Sequence, residues 1–300
     1  TLFVNFEPCC HFGKTPPCTD LIIKSGISQV YFSNYDPNPL IDTCGEKKLS
    51  ENNIKVFSRV LEEDGKELNK FFLKWIKTKH PWITLKQAQT LDGKVSLCKG
   101  KETSITSEES KIEVHRLRST YDAVLVGSNT VNVDDPELTV RLVENSRNPK
   151  RIVLDTNLVT SPDAKIYKSK KYDEVFLITK SGQAEKLKEY KAQNPLINIV
   201  EIDQIGDGKL DLKKLFIKLG EQNILSVLVE AGPTLAGELI ESSLIDEYIL
   251  FIAPKIFGNE QSVLSVHILQ SDNKNSIKEF RIINHKLIGN DLMVSLRPKP

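Results

Sequence analysis

The stretch VLVEAGPTLAGELI, residues 227–240, decides how the larger part of this chain folds. Its first residues, up to Glu230, form a continuous apolar run, the pattern of a strand buried in a parallel sheet. A Gly-Pro turn follows, and helical spacing begins near Thr234. A strand that passes through a glycine turn into a helix gathers free backbone N–H groups and the positive end of the helix dipole at one point. That arrangement suits a pyrophosphate. Gly232 lets a ligand approach the backbone, and Thr234 adds a hydroxyl and an N-cap. Strand–glycine–helix junctions are common, so the junction by itself leaves an ordinary turn open.

Working outward, AVLVGSNTVNVDDPELTVR (123–141) has the same form: a strand, Gly127, a polar turn, then a loop with paired aspartates and Arg141. Two such strand ends can border one crevice, where ligands of open α/β sheets bind; two ordinary turns are the alternative. No G-x-G-x-x-G follows a strand, so the Rossmann fingerprint is absent. KRIVLDT, EVFLITK and INIVEI continue the series of strands, with helices expected over 183–193, 211–220 and 234–243. SEESKIEVHRLRSTYD reads as a helix capped by Ser107 or Thr106, with Glu109 placed for a capping box. WITLKQAQTLDGKVSL opens this block as a strand, and EYILFIAPKIFG and DLMVSLRP close it. The pattern predicts a predominantly parallel α/β sheet.

TKHPW (78–82) marks a boundary, because its proline stops the preceding helix. It divides residues 1–78 from 79–300. In the first block TLFVNF alternates like a half-buried strand. CTDLIIKSGISQVYFSN reads as helix, Gly26 stop and strand, SENNIKVFS holds a short strand, and EDGKELNKFFLKWIKTK reads as one amphipathic helix. This block is α/β with a thin core.

Three hundred residues suit two domains. With 39% hydrophobic and 27% charged residues, the composition is that of an ordinary globular protein. Lys and Arg number 41 against 40 Asp and Glu, so no basic field points to nucleic acid. KSKK (168–171) reads as a solvated run. No apolar run reaches the roughly 18 residues of a membrane span. Of five cysteines, Cys9, Cys10 and Cys18 crowd together, which is not a spread disulfide framework and predicts a reducing, cytoplasmic setting.

EPCCHFGKTPPC (7–18) carries most of a metal site. Zinc takes thiolate and imidazole ligands, and nucleobase deaminases pair a His-x-Glu element with Pro-Cys and a later Cys. The stretch resembles the deaminase half of the bifunctional riboflavin-biosynthesis deaminase/reductases, at Glu7 through His11, Gly13 and Thr15 through Cys18, with DPNP (36–39) extending the match. The resemblance implies Cys9 and Cys18 as zinc ligands and makes Cys10 a neighbour. His11, His80, His115, His267 and His285 all lack a Glu two residues later, so the third ligand His and the general acid/base Glu are missing. His11 is a poor substitute, since it sits beside Cys10 on the same turn. The chain is therefore expected to be an N-terminally truncated member, carrying the C-terminal half of a cytidine-deaminase-like domain, that does not deaminate and holds zinc weakly or not at all.

From about residue 80 onward, LKQAQTLDGKVSL, RLRSTYDAVLVGSNTVNVDDPELTVR, IVLDT and VEAGPTLAGELI…DEYILFIAPKIFG resemble the reductase half of the same family. The resemblance implies a dihydrofolate-reductase-like domain that uses NADPH to reduce the ribose of 5-amino-6-(5-phosphoribosylamino)uracil to ribityl. It places Ala88, Thr130, Asp134, Thr156 and the loop Gly232, Pro233, Thr234, Leu235, Ala236 and Gly237 on cofactor positions. Arg118, Leu138 and Arg141 fall on substrate positions, where the planar fork of arginine suits phosphate oxygens. Lys86 and Glu230 fall on the polar pair beside the reacting sugar; a solvent-facing strand lysine is the plain alternative for Lys86. Two positions depart from the family: Ser104 stands where a cofactor-contacting Trp is usual, and Glu102 where Ser is usual. A homodimer through the reductase sheet is expected on the same resemblance. The competing readings are a complete deaminase whose start lies beyond the sequence, and a non-catalytic remnant with both sites decayed.

Overall fold

A computed structural model describes residues 1–13, 15–37, 44–101, 103–144, 146–168, 174–206, 208–267 and 277–299. Glu102, Asn38 and Pro39 of DPNP and most of KSKK lie outside the described residues. The chain forms two units, Thr1–His80 and Pro81–Pro300.

In the first unit, β1 (Leu2–Phe6), β2 (Gln29–Asn34) and β3 (Lys55–Phe57) form a parallel sheet in that order. Helices α1 (Cys18–Lys24) and α2 (Cys44–Glu51) connect them, and α3 (Glu62–Leu68) and α4 (Lys70–Thr78) follow. Ile22, Val30, Leu49 and Ile54 make a small core. Gly26 takes the left-handed conformation after α1, as its C′ position requires. The single helix expected over 63–79 is two. Asn69 leaves helical geometry, and its side-chain amide joins its backbone N–H in donating to the Gly65 carbonyl, a local side-chain bond that marks the break. The cysteine pattern argued against a disulfide framework, yet Cys10 is joined to Cys44, with Cα atoms 5.9 Å apart. Helix α2 brings Cys44 back beside the 9–18 loop, a return that spacing does not reveal. Cys9, Cys18 and Cys98 are free.

The second unit is built on β4 (Trp82–Thr90), β5 (Lys94–Ser96), α5 (Glu108–Thr120), β6 (Ala123–Gly127), α6 (Ser128–Asp134), β7 (Lys150–Leu154), β8 (Val175–Lys180), α7 (Ala184–Gln193) and β9 (Asn198–Ile202). It continues with a small ribbon of β10 (Gln204–Ile205) and β11 (Lys209–Leu210), then α8 (Leu212–Glu221), β12 (Ser226–Glu230), α9 (Pro233–Glu241), β13 (Glu247–Ala253), β14 (Val263–Leu264), β15 (Phe280–Ile288) and β16 (Asp291–Pro298). Among the described residues nine strands form one sheet in the order β15-β16-β13-β4-β12-β6-β7-β8-β9. From β13 to β9 every pairing is parallel, and β16 and β15 add an antiparallel edge. The chain winds outward in both directions from β4 and β12, so the carboxyl ends of β4, β12 and β6 meet at a topological switch point. Strand residues Ile83, Leu85, Leu125, Val227 and Val229 are buried with Leu215, Phe216 and Leu219 of α8 and Leu239 of α9. β5 pairs with β14 as a separate two-stranded ribbon.

Several boundaries differ from expectation. The cap of α9 is Gly232, not Thr234, because Pro233 occupies the first helical position, where its fixed φ fits and its missing N–H is not needed. The polar turn expected after Gly127 is helix α6; its β-branched residues weaken the helical signal, and burial of Val131 offsets that. Ser107 caps α5 by accepting from the Ser110 N–H, which puts Ser110 rather than Glu109 at the capping-box position. Strand β15 was not expected, because it is a sheet edge exposed on both faces and shows no alternation.

Candidate active site

Lys86 and Glu230 stand in register on adjacent parallel strands β4 and β12, so their side chains leave the same face of the sheet. Lys86 Nζ lies 3.1 Å from Glu230 Oε2. From α5, Arg118 closes on the same carboxylate: Nε donates to Oε1 at 2.6 Å and Nη2 to Oε2 at 3.1 Å. All three side chains are only 12–13% exposed. Burial pushes the Glu230 carboxyl up, but the Arg118 and Lys86 cations outweigh it and hold the group well below the usual carboxylate range. Burial likewise opposes the Arg118 charge, and Glu230 more than restores it.

Lys86 and Glu230 of this cluster line a cleft of about 1160 Å³. Lys86, Ala88, Thr130, Asp134, Thr156, Glu230, Gly232, Pro233, Thr234 and Leu235 all line it, although they come from six separate elements or loops. Ser104, the residue in place of the family Trp, lines it too. Gly232 borders open space: a Cβ built there meets no atom within 4 Å. Its φ of −70° is open to any residue, so space rather than conformation is what it offers a ligand. Thr234 and Leu235 of the first turn of α9 line this space, and the free N–H groups of a helix start suit a pyrophosphate.

Five residues predicted for the reductase site lie outside that lining. Ala236 is fully buried in the core. Gly237 faces the His267 carbonyl, which would stand 1.8 Å from an added Cβ; this glycine serves close packing. Leu138 is 3% exposed and takes φ of +54°, and it is not in the cleft lining. The Arg141 guanidinium pairs with Glu137, outside the lining. The fork of Arg118, expected to grip phosphate, is engaged by Glu230 instead, because α5 packs it beneath that carboxylate.

Two residues went unnoticed in the sequence. Gln87, 3% exposed, donates to the Ala231 carbonyl at 3.2 Å and the Ser265 carbonyl at 2.7 Å, and accepts from the Tyr248 hydroxyl at 2.7 Å. It ties the α9 corner and the segment beside β14 to the central strand. Burial pushes the Tyr248 phenol up to about 12, so it stays a donor. His115 on α5 accepts the backbone N–H of Arg141 through Nδ1 at 3.0 Å. The single signal for either was a polar residue where a buried element was expected.

In the first unit the Cys18 N–H donates to Cys9 Sγ at 3.3 Å, and hydrogen bonding to Cys9 together with burial pushes the Cys18 thiol up. Among the described residues no group of three His, Cys, Asp or Glu is placed to hold a metal. Two thiols fall short of the donor set a zinc ion needs, so these residues do not fit a zinc centre and no step is derived through one.

A family model of the RibD C-terminal domain matches residues 81–294. Riboflavin biosynthesis protein RibD of Aquifex aeolicus (strain VF5) is 39% identical over 295 residues, covering 98% of this chain and 79% of the relative. The chain belongs to the RibD family. Among solved structures, Acinetobacter baumannii RibD, form 1, superposes with a TM-score of 0.86 at 29% identity, covering 99% of this chain and 80% of that one. The diaminohydroxyphosphoribosylaminopyrimidine deaminase/5-amino-6-(5-phosphoribosylamino)uracil reductase of Thermotoga maritima gives 0.84 at 34% identity, over 99% of this chain and 79% of that one. As a RibD-family protein the chain is a reductase of riboflavin biosynthesis that uses a nicotinamide cofactor and acts on a small molecule. The reading as a decayed remnant has no support. Among the described residues no helix is long and apolar enough to cross a membrane.

Proposed function

We propose that this chain reduces the ribose of 5-amino-6-(5-phosphoribosylamino)uracil to ribityl, with NADPH as reductant and Lys86 and Glu230 at the reacting sugar. The observation that carries the reading is the buried Lys86–Glu230 pair, backed by Arg118, opening into the cleft that Gly232 also lines. The Thermotoga maritima relative is described as a reductase of that compound. Bound NADPH supplies the hydride. The residues of the chain orient the partners and deliver a proton. Lys86 faces the cleft as an ammonium steadied by Glu230, and is assigned to proton donation or to stabilising charge that develops on the sugar. Arg118 acts by holding Glu230 ionised and in place. Thr130, Asp134, Thr156 and Gly232 through Leu235 are assigned to the cofactor, and Ala88 leaves room beside Lys86. Leu138 and Arg141 are assigned to the substrate. Arg141 and its partner Glu137 are both exposed, so exchanging that carboxylate for a phosphate needs no desolvation of a buried pair.

NADPH over NADH follows the family resemblance, as does a homodimer. The dimer reading is supported by the sheet edge β15, where Ile282 and Leu287 are 66% and 75% exposed. An exposed edge strand that carries such apolar side chains is a template for pairing with another chain. No deaminase step is assigned to these residues. The test is to follow nicotinamide absorbance with purified chain, substrate and either dinucleotide. Substrate-dependent oxidation of NADPH, with NADH much slower, is expected; no oxidation of either overturns the proposal.

A further inference from the structure

We propose that His115 is a positioning residue for the substrate side of the site: its neutral imidazole holds the backbone at Arg141, and with it the segment that receives the substrate phosphate, against α5. This rests on the assignment of Arg141 to substrate made above.

The segment 138–141 is held at successive points. Leu138 is buried with a left-handed backbone, the Val140 N–H donates to Asn148 Oδ1 at 2.7 Å, and the Arg141 N–H donates to His115 Nδ1 at 3.0 Å. His115 is 7% exposed. A ring nitrogen that accepts an N–H carries no proton, so the proton of the neutral ring sits on Nε2. His115 precedes Arg118 by three residues and shares its helix face. Helix α5 therefore presents an acceptor for the Arg141 backbone and a clamp for Glu230 at one fixed spacing.

The charges facing the ring favour this state. Arg118 comes from its own helix, Arg141 from the held segment, Lys86 from β4 and Glu230 from β12. Three of the four are cations. Burial first, then Arg118 and Arg141, hold the imidazole below its ordinary range. Once protonated, Nδ1 becomes a donor facing a donor, and the bond to Arg141 is lost. A histidine that merely fills space in α5 would leave phosphate binding untouched by this change.

The experiment measures KM and kcat of the full chain for the phosphorylated substrate between about pH 5 and 8, in wild type, H115L, H115N and R141M. Asparagine can place its Oδ1 where Nδ1 stands and does not titrate. H115L is expected to raise the substrate KM by about tenfold, the scale of one lost hydrogen bond at a buried site, with kcat and cofactor KM nearly unchanged. H115N is expected to match wild type near neutrality. On acidification the wild-type KM should climb further than that of H115N. The substrate phosphate titrates near about 6 in both, so the difference belongs to the ring. An unchanged KM in H115L, or identical acid profiles in wild type and H115N, overturns the proposal. Should H115L fail to fold, the comparison with H115N decides alone. If R141M leaves KM unchanged, the assignment of Arg141 fails; if R141M raises KM and H115L does not, only the role of His115 fails.

Discussion

Lys86 shows how one residue acquires a role from its neighbours. A strand lysine is ordinarily solvated, but register places it opposite Glu230, and Arg118 completes the carboxylate's hydrogen bonds. Substituting Lys86→Met should lower kcat by about a hundredfold or more while the cofactor KM stays within about twofold, since general acid contributions have that size; full turnover would remove Lys86 from the chemistry. Glu230→Gln would leave two buried cations without their partner. A loss of about 3–5 kcal/mol is expected for breaking such a pair, read from the denaturant midpoint. The pH direction follows from the same contacts. Because the folded-state pKa of Glu230 lies below its ordinary value, its stabilising contribution is complete above the usual carboxylate range, declines progressively as pH falls below it, and is gone once pH has passed the depressed value. A wild-type stability profile that lost this contribution near pH 4.5, the ordinary value, and matched Glu230→Gln below it would contradict the ion-pair assignment.

At the scale of elements, the corner between β12 and α9 is set by packing as well as by sequence. Gly237→Ala would drive a methyl into the His267 backbone carbonyl, which a side-chain rotation cannot relieve. Destabilisation of about 1–3 kcal/mol is expected, visible as a lower melting temperature without a change in the catalytic residues. Gln87 braces the same corner from β4. Gln87→Leu should raise the cofactor KM more than it lowers kcat, because the Ala231 carbonyl beside Gly232 loses its anchor; equal effects on both would point to general loss of structure instead. The strands β6, β7, β8 and β12 were legible as apolar runs, and the proline at 233 and the serine at 107 fixed two helix starts within a residue or two. Helix α6, the break at Asn69 and strand β15 were not legible, since each depends on contacts or exposure that local pattern does not encode.

On the scale of the whole molecule, the nine-stranded sheet ends at β15, an edge strand that carries exposed isoleucine and leucine. If that edge joins two copies, light scattering should give twice the chain mass, and Ile282→Lys with Leu287→Lys should shift the protein to monomer at unchanged helical content. A monomer at all concentrations in wild type would end the homodimer proposal. The two thiols of the first unit belong to this scale as well: Cys9 and Cys18 meet, but no third donor among the described residues joins them.

Sequence alone determined the alternating α/β order and the glycine–proline entry into α9, because periodicity and turn chemistry are local properties; Lys86, Glu230 and the residues proposed for the cofactor were singled out by the family resemblance. Tertiary structure decided which of those residues share a cleft. Strand register set Lys86 against Glu230, the packing of α5 turned Arg118 from phosphate to carboxylate, and the fold brought His115 to the backbone of Arg141. Those pairings join positions far apart in the chain, and no local pattern carries that distance.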